Sequence, residues 1–141
     1  MDVVREYFKG DRLAEYFGME IVEVSEGSAT ITMKIDDRHM NSAGVVHGGA
    51  TFALADFAFA VSSNSHGTLA LAVTTSLSFL KAVRGGTLRA EAREVSLSRR
   101  LGTYAIEVKD DEGDVIGLFQ GTAYRKGDPI TNFIEARRQS E

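Results

Sequence analysis

From Ala50 to Val61 the chain runs through almost nothing but apolar residues, with Thr51 and Asp56 the only polar ones. A helix apolar on every side is buried on every side. The rest of the chain must therefore build a wrapper around this one segment. Burying the Asp56 carboxylate inside such a wrapper costs on the order of several kcal/mol unless it is paired or protonated. A carboxylate kept at that cost points to chemistry.

The flanking sequence supplies the wrapper. Val3, Val4, Tyr7 and Phe8, then Leu13, Tyr16 and Phe17, recur at helical spacing, predicting one or two short amphipathic helices that end at Gly18. Met19 to Val24 reads as a first strand and Glu26–Gly27 as a turn. Ala29, Ile31, Met33 and Ile35 alternate with polar residues as a half-buried second strand. Residues 36–46 read as loop, and Ser62 to Gly67 as the stop of the apolar helix. From there the period is two. Strands are predicted over Leu69–Val83, Thr87–Ser98, around Tyr104–Val108 and over Val115–Tyr124. The turns between them fall at Gly85–Gly86 and Asp110–Asp114. Apolar positions 88, 90 and 92 slip to 95 and 97, which predicts a β-bulge near Arg93–Glu94. One domain over residues 1–141 follows, with a helical segment at 1–17 and a polar C-terminal tail at 127–141 that reads as a loose helix or tail. An antiparallel sheet curled around a central buried helix is the hotdog arrangement, an α+β fold.

Composition narrows the function. The 141 residues carry no cysteine, which excludes disulfides, thiolate metal sites and cysteine nucleophiles. A net charge of -4 argues against a nucleic-acid partner. The charged start, MDVVREYFKG, has no signal-peptide core, and no apolar run approaches the ~20 residues of a membrane span. A cytoplasmic protein is expected. The acidic stretch Asp110 to Asp114 lacks the length and terminal Glu of a calcium loop, so no metal site is expected. His39 and His66 are read as solvent-facing.

Asn41, Gly44, His47, Gly48, Gly49, Leu54 and Asp56 stand in a spacing that resembles the signature of hotdog-fold acyl-CoA thioesterases of the PaaI type. The likeness continues through Ser78–Lys81, Leu97–Arg100 and Leu118–Thr122 and spans roughly residues 12–126. Many members carry His where this chain has Ala43. The resemblance implies hydrolysis of a CoA thioester, with aromatic acyl groups such as phenylacetyl or hydroxyphenylacetyl, or short to medium aliphatic chains. It implies Asn41 beside the thioester, Gly48 as oxyanion donor, and a dimer that pairs again into a tetramer.

Chemistry supports the same residues. Thioester hydrolysis needs an attacking water or nucleophile and a donor for the oxyanion. Gly48 and Gly49 sit at the helix start, where unpaired N–H groups and the helix dipole favour an anion. Asp56 is the candidate base, or alternatively the nucleophile. His47 supports the loop or acts directly. Thr74 or Thr75, one of which faces inward, is a candidate for positioning water. Lys81, Arg84, Arg99 and Arg100 are candidates for the phosphates of coenzyme A, although Arg99 and Arg100 also fit a solvated edge beside a turn. Eight residues of helix separate Gly48 from Asp56 by about 12 Å, whereas reacting atoms meet at roughly 3–3.5 Å. One chain cannot present both to one carbonyl; two antiparallel helices of a symmetric dimer can. No cofactor beyond the CoA of the substrate is expected. The alternatives are a non-catalytic acyl-CoA sensor and a hotdog hydratase or dehydratase.

Overall fold

Two short helices, α1 (Asp2–Phe8) and α2 (Arg12–Phe17), open the computed structural model, which describes residues 1–141. The Asp11 carboxylate caps α2 by accepting the Ala14 N–H at 3.0 Å. Gly18 ends it at φ 73°, a left-handed cap that favours glycine. The hairpin β1 (Met19–Ser25) and β2 (Ser28–Lys34) follows, then a short 3-10 turn at Asp37–His39 and the long helix α3 (Gly48–Ser63). Four strands come next: β3 (Thr68–Phe79), β4 (Thr87–Leu97), β5 (Leu101–Lys109) and β6 (Val115–Pro129). Helix α4 (Thr131–Gln139) closes the chain.

All six strands form one antiparallel sheet in the order β1-β2-β4-β5-β6-β3. The sheet curls round α3. Leu54, Ala55, Ala58, Phe59 and Val61 of the helix pack into a core with Ile31 and Met33 of β2, Leu88 and Ala90 of β4, and Tyr104, Ile106 and Val108 of β5. The far end of α3 is closed by polar side chains that would be orphans without it. Asn64 donates to the Ala60 and Ala70 carbonyls and accepts the Ala70 N–H, stitching the helix end to β3.

Several expectations are refined. The β4 bulge lies between Glu94 and Ser96, one step beyond the predicted place. β3 leaves the sheet after Phe79 rather than running to Val83, because the Val83 carbonyl is taken by the Val46 N–H at 2.8 Å from outside the sheet. The segment at 127–141, read as a loose helix or tail, begins as the end of β6 and continues as a helix that is docked rather than loose. Ile130 and Ile134 are buried, and Arg137 donates to the Tyr7 and Glu6 carbonyls near the end of α1.

Two histidines are not solvent-facing. His39 is fully buried, with Nδ1 accepting the Asp36 N–H and Nε2–H donating to the Phe17 carbonyl, both at 2.9 Å. That pairing requires a neutral ring and ties the loop before α3 to α2. His66 is half-buried, 2.7 Å from Glu94, which also accepts the Tyr104 hydroxyl. These bonds fasten the end of α3 to the β4 bulge.

Nor is α3 covered on all sides within one chain. Gly49 and Phe52 are exposed, and Ala53, Asp56 and Ala60 are half-buried, so a strip of the helix faces outward. The helix sits over the β2-β4-β5 part of the sheet, leaving the β3 edge bare, with Leu71, Val73 and Phe79 all more than half exposed.

Candidate functional site

The start of α3 gathers the first group of candidates. His47 caps the helix: its ring Nδ1 accepts the Gly49 N–H at 2.8 Å, and its own N–H donates to the His39 carbonyl at 2.7 Å. Gly49's donor is thereby used. The Gly48 N–H, first in the helix, has no intrahelical acceptor and lies at the positive end of the helix dipole. Asn41 shapes the preceding loop, its Oδ1 accepting the Ala43 and Val45 N–H groups at 2.9 and 3.2 Å. The side-chain NH2 of Asn41 stays available.

Gly48 lines a groove of about 380 Å³. Its lining is mostly apolar, with Val45, Val46, Phe79, Leu80, Val83 and Ile116 joined by Thr51. The Phe79 ring lies against Gly48, so a methyl group there would sit 3.2 Å from two ring carbons. A side chain at residue 48 would therefore push the Phe79 ring aside, whereas glycine leaves it in place.

Asp56 stands apart, two turns along the helix. It is half-buried, not core-buried as the apolar run implied, and makes no hydrogen bond or ion pair within the chain. Burial, and secondarily the negative charge of Asp11 at the cap of α2, push its carboxyl above the usual carboxylate range.

The strand candidates are separated by the pleat. Thr75 pairs with Gly121, where a Cβ would lie 2.9 Å from Phe59 of α3, so Thr75 belongs to the helix-facing side with Leu77 and Phe79. Thr74 pairs with Thr122 on the opposite face. Arg99 and Arg100 lie on the β4–β5 turn, with Arg100 donating to the Tyr124 hydroxyl at 2.8 Å. Tyr124 pairs with Leu71 and Gly117 with Phe79, so these arginines lie at the other end of β3 from their own Gly48. Arg84 is exposed in the 80–86 segment. Lys81 lies in the same segment, its ammonium 2.8 Å from both Asp110 and Asp114. Gly48 and Lys81 thus line one groove, His47 and Gly49 flank Gly48 in the chain and Asn41 shapes the loop before them, while Asp56, Arg99 and Arg100 lie elsewhere in the same chain.

Sequence reasoning overlooked the groove itself. Phe79 was legible only as part of a motif, because the groove is assembled from three distant segments and leaves no spacing signature.

A curled antiparallel sheet around one long helix, with a free N–H donor where that helix opens onto a groove, defines the hotdog class of enzyme. Residues 43–116 match the model of the thioesterase superfamily. A protein of Archaeoglobus fulgidus is 46% identical over 124 residues, covering 86% of this chain and 80% of its own. The acyl-coenzyme A thioesterase PaaI of Escherichia coli is 34% identical over 125 residues, covering 88% and 89%. The solved structure of the E. coli PaaI protein superposes with a TM-score of 0.87 at 32% identity, over 91% of this chain and 94% of that one. The chain belongs to the thioesterase superfamily. Within it, the protein is a thioester hydrolase of the PaaI type.

Proposed function

We propose that this protein hydrolyses acyl-CoA thioesters to the free acid and CoA. The observation that carries the reading is the Gly48 N–H beside an apolar groove, without an acceptor because it is first in α3, while His47 takes the neighbouring Gly49 donor. In the reaction water attacks the thioester carbonyl, and the oxygen gains negative charge against the Gly48 N–H and the helix dipole. Asp56 removes the proton of the attacking water. The tetrahedral intermediate then collapses, breaking the C–S bond and releasing CoA as the thiolate. The step is redox-neutral and calls on no cofactor.

Asp56 comes from a second copy of the chain. About 12 Å of helix separates it from its own Gly48, and its carboxyl has no partner within the chain. Pairing α3 with an antiparallel copy along the exposed Phe52–Asp56 strip places each Asp56 near the other protomer's Gly48, giving two shared sites per dimer. If the bare β3 edges also pair antiparallel, Arg99 and Arg100 of one protomer approach the groove of the other, where they would hold phosphates of CoA. A second pairing makes the tetramer, and the cytoplasm is the proposed location. No helix of the structure is long and apolar enough to cross a membrane. The likeness to PaaI makes phenylacetyl-type acyl groups the first substrates to try, with short to medium aliphatic chains next.

The test is CoA release, followed with a thiol reagent over aromatic, short and long acyl-CoAs, with Asp56→Ala alongside. Turnover of a few substrates that collapses in the variant supports the reading. Tight binding of acyl-CoA without turnover assigns a sensor instead. Hydration of crotonyl-CoA without thiol release assigns a hydratase.

A further inference from the structure

Between β3 and β4, residues 80–86 cross the start of α3 as a strap, and Leu80, Lys81, Ala82 and Val83 form one wall of the groove beside Gly48. Main-chain bonds hold its two ends. The Leu80 N–H donates to the Ile116 carbonyl at 2.9 Å, and the Ile35 N–H donates to the Gly86 carbonyl at 2.9 Å. The Val46 N–H donates to the Val83 carbonyl, linking the strap to the segment that leads into α3. Just beyond it, the Thr87 N–H reaches the Asp111 carboxylate at 3.2 Å. The first half of the strap is held from outside by a single side chain. Lys81 Nζ donates to Asp110 Oδ2 and Asp114 Oδ2, each at 2.8 Å, with Glu112 at 3.8 Å.

The acidic turn is itself fixed. The other oxygen of Asp110 accepts the Glu112 and Asp114 N–H groups at 3.0 and 2.9 Å, so the Asp110 carboxylate is oriented independently of Lys81. Their charges and hydrogen bonds hold the ammonium firmly protonated. An ammonium has three donors, and two are spent here on short charge-assisted bonds. A phosphate would have to compete with two carboxylates already in place.

We infer that Lys81 is a positioning residue for thioester hydrolysis rather than a ligand for CoA phosphate: caged by Asp110 and Asp114, it pins the strap that walls the groove at Gly48. The inference rests on the thioesterase reading above. Phe79, one residue before the strap, lies against Gly48, so a loosened wall shifts the surface that the thioester must meet. Small misplacements at a reacting carbonyl are expensive in rate. The Lys81 ammonium and the Asp114 carboxylate are exposed, although Asp110 is half-buried, and pairs with an exposed partner add little to global stability, so their loss is felt locally.

The two roles predict opposite results. Steady-state rates are measured for wild type, Lys81→Met, Lys81→Arg and the double variant Asp110→Asn/Asp114→Asn, on an acyl-CoA and on the N-acetylcysteamine thioester of the same acid, which has no phosphate. Positioning predicts that Lys81→Met and the double variant both lose about tenfold in kcat/KM on both substrates. Lys81→Arg should recover most of the loss. A loss confined to the acyl-CoA, with the double variant unharmed or improved because it frees the ammonium, overturns the inference in favour of phosphate binding. Amide hydrogen exchange in Lys81→Met gives the second arm: Leu80 and Val46 should exchange faster while the α3 core is unchanged. Unchanged exchange at both, or unchanged kcat/KM on both substrates, also overturns it. A wild type that hydrolyses neither thioester instead retires the thioesterase reading, and the exchange arm then decides the pinning alone.

Discussion

Asp56 is the only carboxylate of α3, and its own chain offers it neither donor nor cation. Its folded pKa lies above the ordinary carboxylate range, first through burial and then through Asp11. A carboxyl of this kind binds protons more readily folded than unfolded. It therefore costs stability as pH rises through the window between its unfolded value near ~4 and its higher folded one, and the penalty persists above that window. Asp56→Asn should raise Tm at pH 7, with the gain vanishing near pH 3, as thermal unfolding at the two pH values would register. The same variant should lower kcat by about 10²–10⁴-fold. Because the base must be ionised, the acid limb of the wild-type kcat/KM profile should lie above the range of an exposed carboxylate. The sequence made Asp56 conspicuous by type, but not its half-burial, which depends on the sheet stopping short of one helix face.

At the level of elements, Gly121 of β6 lies directly under the Phe59 side chain of α3. A Cβ there would lie 2.9 and 3.0 Å from two Phe59 ring carbons and 3.1 Å from Phe119. Gly121→Ala should therefore destabilise by about 1–3 kcal/mol, read as a lower urea midpoint at unchanged m-value. Most elements were legible, since period-two and helical patterns report which face is apolar. Where the sequence misled, a side chain or carbonyl found an unexpected partner. Val83 continued the alternation of β3 but belongs to the strap, because its carbonyl serves Val46. The polar residues after Gly127 suggested a loose helix or tail, yet Ile130 and Ile134 dock the helix and Arg137 caps α1. His39 looked like an exposed polar residue. Its burial became possible only when Asp36 and Phe17 supplied one donor and one acceptor.

For the whole molecule, the bare strip of α3 and the exposed β3 edge mark the surface on which the proposed shared site depends. If each site takes Gly48 from one protomer and Asp56 from the other, Gly48→Val and Asp56→Ala proteins are each inactive, but random mixing of their subunits rebuilds one intact site in every mixed dimer. Co-refolded mixtures should recover about a quarter of wild-type activity; no recovery, with mixed dimers present, excludes the shared site. The sequence by itself determined the wrapped-helix fold and the cluster at the start of α3. An all-apolar helix has one kind of solution, and residues close in sequence stay close in space. Only the tertiary structure decided the rest: the groove, the strap across it, which threonine faces the helix, and the distance of Arg99 and Arg100 from Gly48. These depend on strand order and register, which bring residues 45, 79 and 116 together through contacts that no local pattern encodes.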